Sequence, residues 1–141
     1  MRARAFSLAL FVPSVAVLAV ARWLTPNPTG VGTHIQLGLQ PCAVLSAAGF
    51  PCPMCGMTTT FSLLAHLRPV DALITQPFGV VLFAMTVTIA AISLLEIARP
   101  QNRWDRLFQR IEGSEIWLLT ALIAGMCASW VYKIVAMGYL F

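Results

Sequence analysis

The stretch FGVVLFAMTVTIAAISLLEI, residues 78–97, decides the fold, because it is apolar over its whole length and carries one charge, Glu96, in its last turn. About 20 residues of helix are needed to cross the hydrocarbon core of a bilayer. Pro77 precedes the run and suits the first turn of a helix, and Arg99-Pro100 closes it. The stretch is therefore predicted to be a membrane-spanning helix, with Glu96 close enough to its end to reach the lipid headgroups.

Two further apolar runs, at about residues 5–24 and 116–137, are also long enough to span. The first exceeds the roughly 7–15 residues of a signal-peptide core and no clear cleavage site follows it, so an uncleaved span is predicted. In the whole chain of 141 residues, 59% are hydrophobic and 10% charged, against roughly 45–50% and about 25% in soluble domains. The predicted fold class is all-α: an integral membrane protein with three transmembrane helices, at about 5–24, 78–98 and 116–137, in a single membrane domain over residues 1–141.

The basic residues predict the orientation, because cytoplasmic segments are enriched in Lys and Arg. With the N-terminus and residues 99–115 inside, six basic residues are cytoplasmic and three are not. The inner six are Arg2, Arg4, Arg99, Arg103, Arg106 and Arg110, and the outer three are Arg22, Arg68 and Lys133. The N-terminus is therefore predicted inside and the C-terminus outside, with residues 25–76 on the non-cytoplasmic face and Lys133 at the outer interface. Since these charges mark span ends, the net charge of +4 predicts a lipid bilayer as partner and no nucleic acid.

The inner loop, residues 99–115, is predicted to contain a short helix lying on the cytoplasmic leaflet. Four apolar residues in it recur at the spacing of one helical face, and most of its arginines lie off that face. The four are Trp104, Leu107, Phe108 and Ile111. The simplest interpretation is a connector that lies against the membrane.

The outer segment carries the sequence FPCPMCGMTTT, residues 50–60. The apolar stretch 35–50 before it is short and interrupted by Gly and Pro, which predicts an interfacial or re-entrant segment in place of a fourth span. After the CPMCG motif, a short interfacial or re-entrant helix is predicted, with Cys52 and Cys55 at its start, where the helix dipole lowers a thiol pKa. Only nine residues separate Cys42 from Cys52, so Cys42 is expected nearby. The segment is expected to pack back on the spans, because its apolar stretches have no other layer to cover them.

Cys42, the motif CPMCGMT at 52–58 and the Gln-Pro pair at 76–77 together resemble the DUF2752 family of small bacterial membrane proteins. The resemblance covers roughly residues 40–85. The family pattern usually has Arg after the Thr and Asn-Pro ahead of the span, whereas this chain has Thr59 and Gln76. It implies a location in the bacterial plasma membrane, and it implies no reaction because the family is of unknown function.

Two interpretations of the outer cysteines involve a disulfide. In the first, a structural Cys42–Cys52 bridge pins the segment to the bundle, and closing this short loop stabilises the fold by roughly 2–3 kcal/mol. In the second, Cys52 and Cys55 carry out thiol–disulfide exchange with Cys42 as the resolving or structural thiol. If the protein is an enzyme, a membrane thiol–disulfide oxidoreductase is therefore the expected class. No other set of catalytic residues is found, so a role without catalysis is favoured.

A third interpretation is metal binding, because Cys-Pro-x-Cys-Gly also forms the knuckles that hold zinc in zinc ribbons. Here Cys42, Cys52 and Cys55 would supply three ligands and His34 a fourth, for zinc, or for copper if the nearby Met54 and Met57 favour a soft ion. A fourth interpretation is a non-catalytic subunit or assembly factor that binds another membrane protein. The sequence leaves these alternatives open.

Overall fold

The computed structural model describes residues 2–136 and 138, without the side chains of residues 2 and 3. This part of the chain is helical and contains no strand. In chain order, its elements are α1 (Arg2–Trp23), a 3-10 helix (Thr33–Leu37), α2 (Ala43–Ala48), α3 (Met57–Ala65), α4 (Pro69–Thr75), α5 (Pro77–Ala98), α6 (Arg103–Ile111) and α7 (Glu115–Ala136).

The helices α1, α5 and α7 confirm the three predicted spans. Each has 22 residues, and at 1.5 Å per residue each is about 33 Å long, enough to cross a hydrocarbon core of about 30 Å. All three are long and apolar enough to cross a membrane. The predicted third span ends at Met137, which lies outside the described residues.

The three long helices pack unequally. α1 packs extensively against α5, whereas α7 touches α5 much less, and one of these contacts lies at the start of α5. At that point Gly125 leaves room for the Phe78 ring, which lies 3.5 Å from where a Cβ of residue 125 would be. Ser129 Oγ accepts a hydrogen bond of 3.2 Å from the Phe78 amide. Small residues thus allow α7 to approach α5 at the end of the bundle that carries the cysteines.

The contacts at the two ends of the helix bundle show which segments lie at the same end. At one end Trp104 of α6 packs edge-on against Phe6 of α1, with ring centroids 6.0 Å apart. At the other end the last turns of α7 contact the outer segment, through Tyr132 Oη and Ile74 O at 2.9 Å among others. The start of α1 and α6 therefore lie at one end of the bundle, opposite residues 25–76 and the end of α7, as three crossings require.

The short helix predicted in the inner loop is present as α6, but Glu96 does not reach the headgroups. Its side chain is 1% exposed, and its carboxylate accepts hydrogen bonds of 2.9–3.1 Å from the amides of Gln101, Asn102 and Arg103. The Arg103 guanidinium lies 3.3 Å from the same carboxylate. Glu96 instead satisfies free amides at the start of α6 and ties that helix to the end of α5.

The outer segment is folded as short helices, of which α3 and α4 pack against the spans, as predicted for the segment, whereas α2 does not. α2 has 6 residues and the 3-10 helix has 5, so neither can cross a bilayer. Both end at glycines in the left-handed conformation, Gly38 and Gly49. α3 then packs against α1 and α5, and prolines at the first positions of α4 and α5 restart the helix after each turn.

Candidate functional site

The CPMCG motif forms a tight turn that ends where α3 begins. The Cys55 amide donates to Cys52 O at 2.9 Å, and Gly56 follows with φ of 90°. This left-handed conformation delays the helix, so α3 starts at Met57, two residues later than a helix running from Cys55. A side chain at position 56 would place its Cβ 2.8 Å from Gly30 O. Glycine is therefore required there both for the backbone conformation and for the close approach of the loop after α1.

Three of the four cysteines converge at this turn. The Sγ atoms of Cys42, Cys52 and Cys55 all lie within 4.8 Å of one another, and those of Cys52 and Cys55 are 3.4 Å apart. Cys55 is buried, whereas Cys42 and Cys52 are half-buried. The expected approach of Cys42 to the CxxC pair is therefore found, across the loop that contains α2.

The predicted disulfide is not found. A disulfide requires sulfur atoms about 2.05 Å apart, and all four cysteines are free thiols. The Cys42–Cys52 bridge that is one interpretation of the short loop is therefore absent. The three sulfurs instead surround a common volume. Cys127 lies exposed on α7, apart from this group.

Two side chains from the spanning helices hold the motif in place. Trp130 of α7 donates its indole N–H to Pro51 O at 2.8 Å. Gln76, which is fully buried at the start of α5, donates its amide to Pro53 O at 3.0 Å. The carbonyl groups on both sides of Cys52 are thus fixed by residues far away in the sequence. Neither Trp130 nor Gln76 was predicted to serve the site.

Lys133 lies behind the cysteine turn and not at the lipid interface, where the sequence placed it. The residue is 5% exposed, and its Nζ donates to Thr75 O at 2.9 Å and reaches Gly30 O at 3.4 Å. The Nζ atom would lie 3.1 Å from a Cβ at Gly56, the neighbour of Cys55. The Lys133 amine is therefore buried close to the backbone of the cysteine turn. In the sequence, the only hint that Lys133 lies at the cysteine turn was its position in an otherwise apolar span.

A polar layer on α3 supports the turn from beneath. Thr59 is buried, with its hydroxyl 2.8 Å from that of Thr33. Ser62 donates to Leu24 O at 2.6 Å. His66, which follows the last residue of α3, lies with its Nε2 2.9 Å from an Arg22 guanidinium nitrogen. The layer joins α3 to the end of α1 and to the 3-10 helix.

A cavity of about 600 Å³ opens beside the cysteines. Its wall includes all three outer cysteines and the residues proposed as additional ligands, namely His34, Met54 and Met57. His34 is not part of the converging group in the described chain, and its Nε2 lies 3.1 Å from Gln40 O. The thiols can therefore be reached from the cavity, and the arrangement offers three protein ligands.

The thiols differ in acidity because their surroundings differ. The pKa of the Cys42 thiol is lowered to about 7, chiefly by the Leu45 amide and to a smaller extent by the other two thiols. No formal N-cap hydrogen bond forms, so the amide acts as a nearby dipole. The pKa of the Cys55 thiol is raised to about 12, chiefly because burial disfavours its thiolate. In the metal-free protein Cys42 is therefore the more reactive of these two thiols at neutral pH.

The spacing of the sulfurs fits a shared metal ion. With Zn–S bonds of 2.3 Å, two sulfurs of a tetrahedral site are roughly 3.8 Å apart. The observed separations, 3.4 Å for the CxxC pair and at most 4.8 Å for any pair, bracket that value. Side-chain rotations that move the sulfurs by up to about 1 Å are enough to reach it. The donor set, three thiols in a partly buried pocket, suits thiophilic ions such as zinc or copper(I).

The fold and the site define a small helical membrane protein with a three-thiol group at one end of its bundle. The family model described as "Protein of unknown function (DUF2752)" matches residues 42–90, which confirms the resemblance predicted from the motif. The matched region begins at Cys42 and ends within α5. No curated protein and no solved structure matches the chain.

Proposed function

We propose that the protein binds a thiophilic metal ion, zinc or copper(I), through Cys42, Cys52 and Cys55. The observation that carries the proposal is the convergence of three free sulfurs from two separate loops within 4.8 Å. A structural disulfide needs two sulfurs and leaves the third without a role. Three protein ligands leave a further coordination position for a group on the cavity side, as in zinc sites that bind an exchangeable ligand.

The orientation predicted by the basic residues places this site on the non-cytoplasmic face of a bacterial plasma membrane. The start of α1 and the loop with α6 are then cytoplasmic. Reporter fusions after residue 112 and at the C-terminus test this arrangement: activity of a cytoplasmic reporter at the first position and of a periplasmic reporter at the second is expected. The reverse pattern would move the metal site to the cytoplasmic face without removing it.

Metal analysis of the purified full-length protein tests the function. We expect about one equivalent of zinc or copper in the wild type, and a loss of most of it in Cys42→Ser, Cys52→Ser and Cys55→Ser. Cys127→Ser is the matched control, because Cys127 is a free cysteine outside the group, and it should retain the metal. Metal retained by all three single variants, or absent from wild type reconstituted under reducing conditions, would contradict the proposal.

Thiol–disulfide exchange is a second candidate, favoured by the contact of 3.4 Å between the Cys52 and Cys55 sulfurs. Closing by about 1.4 Å would form the bond. In that reaction the two thiols lose two protons and two electrons, and a disulfide or quinone acceptor takes them up. Intact mass separates the candidates: oxidised protein loses two hydrogen atoms, whereas a metal-loaded site resists alkylation until a chelator is added. The role of an assembly factor or non-catalytic subunit stays a prediction.

A further inference from the structure

The single lysine of the chain is buried without a carboxylate partner among the described residues. The two ion pairs among the described residues join Arg68 to Asp71 and Arg103 to Glu96. Lys133 instead contacts two backbone carbonyls. Burying an ammonium without an opposite charge is costly, and carbonyl dipoles offset only part of that cost.

When a metal ion binds, the three thiols lose their protons, and the resulting thiolates bring negative charge to the turn beside Lys133. The Lys133 Nζ lies beside Gly56, next in sequence to Cys55. An ammonium at this position attracts a thiolate on Cys55, which forms when a metal ion binds. Both groups are buried, where charges are weakly screened. The position of Lys133 is fixed by the Thr75 and Gly30 carbonyls, so the charge is held there before any ion binds.

We propose that Lys133 is the counter-charge of the three-cysteine site and adapts it to a divalent ion such as Zn²⁺. Three thiolates, one divalent ion and one ammonium together carry no net charge, which is the least costly state for a buried site. A monovalent ion in the same three thiolates would leave one negative charge. The inference rests on the proposed metal-binding function and assigns to Lys133 a positioning and electrostatic role, without direct contact with the metal.

The test compares zinc affinities of full-length variants by competition with a chromophoric chelator. Lys133→Met should weaken Zn²⁺ binding on the order of tenfold or more, and Lys133→Gln, which keeps a donor for the carbonyls, should do the same. Tyr132→Phe is the matched control, because Tyr132 also ties α7 to α4 through a single carbonyl, that of Ile74, but carries no charge. It should change the affinity less than about twofold.

A second measurement separates charge from structure. Cys42→Ser removes one thiolate, so a zinc-loaded site then has an excess positive charge when Lys133 is present and none when it is absent. In the Cys42→Ser background, Lys133→Met should therefore leave zinc affinity unchanged or increase it, the opposite of its effect in the wild type. A merely structural lysine would weaken binding in both backgrounds, and that result would overturn the inference. Wild type that binds no zinc or copper would instead refute the proposed function itself.

Discussion

Replacing Gly56 by alanine tests whether the cysteine turn depends on the close approach of the loop after α1. The left-handed conformation at this residue, φ of 90°, costs an alanine roughly 1–2 kcal/mol. The new Cβ would also lie 2.8 Å from Gly30 O and 3.1 Å from Lys133 Nζ. Because the first of these is a backbone atom, relief requires movement of the loop, which adds roughly 1–3 kcal/mol.

Gly113 provides the control for this variant. It has φ of 83° with nothing within 4 Å of an added Cβ, so Gly113→Ala carries the conformational cost without the collision. Both variants are unfolded by a denaturing detergent in mixed micelles. The free energy of unfolding of Gly56→Ala should be about 1–3 kcal/mol lower than that of Gly113→Ala. Gly56→Ala should also lose metal, since Cys55 adjoins the displaced residue. Equal stability of the two variants, with metal retained in both, would refute the argument that the turn and the loop are packed against each other.

The remaining predictions concern the supports of the fold and the thiols. Glu96→Ala should speed amide hydrogen exchange at the start of α6 and lower the free energy of unfolding by about 2–4 kcal/mol. The control Glu112→Ala, at an exposed residue, should have little effect. Equal exchange rates in both variants would contradict the capping role of Glu96. Trp130→Phe should cost about 0.5–1.5 kcal/mol and weaken metal retention; unchanged retention would show that its hydrogen bond does not position the motif. In metal-free protein, alkylation at neutral pH followed by mass spectrometry should modify Cys42 before Cys55, because the pKa of Cys42 is lowered to about 7 and that of Cys55 is raised to about 12. The reverse order of modification would be inconsistent with these environments.

The sequence was sufficient to predict what depends on composition and on short spacing. Residues 78–97 predicted a span because twenty apolar residues have few alternatives to a bilayer. The approach of Cys42 to the CxxC pair followed from a connection of nine residues. Even so, the spacing did not distinguish a disulfide from three free thiols around a common volume. Loop length limits the distance between the cysteines but says nothing about the direction of their side chains.

The sequence was insufficient where one residue acts on another far along the chain. Lys133 was placed at the interface because basic residues near span ends usually reach the headgroups, yet it is held by carbonyls from the loop after α1 and the end of α4. Glu96 was placed at the headgroups because it lies in the last turn of its span. In both cases free backbone groups inside the protein outcompete the lipid headgroups, and no local pattern reveals where those backbone groups lie.

The distribution of supports around the thiols explains why the site belongs to the whole membrane protein and not to its motif alone. The turn with Cys52 is held by an indole from α7 and an amide at the start of α5. The charge behind Cys55 comes from α7, and the hydroxyl of Ser62 bonds to a carbonyl that follows α1. Each spanning helix or its end therefore contributes at least one contact, at sequence separations of up to 103 residues. These partners are brought together only when the three helices pack, so changes that disrupt helix packing should also lower metal affinity. For the same reason, residues 25–76 expressed alone are not expected to hold the three sulfurs at the spacing that a metal ion needs.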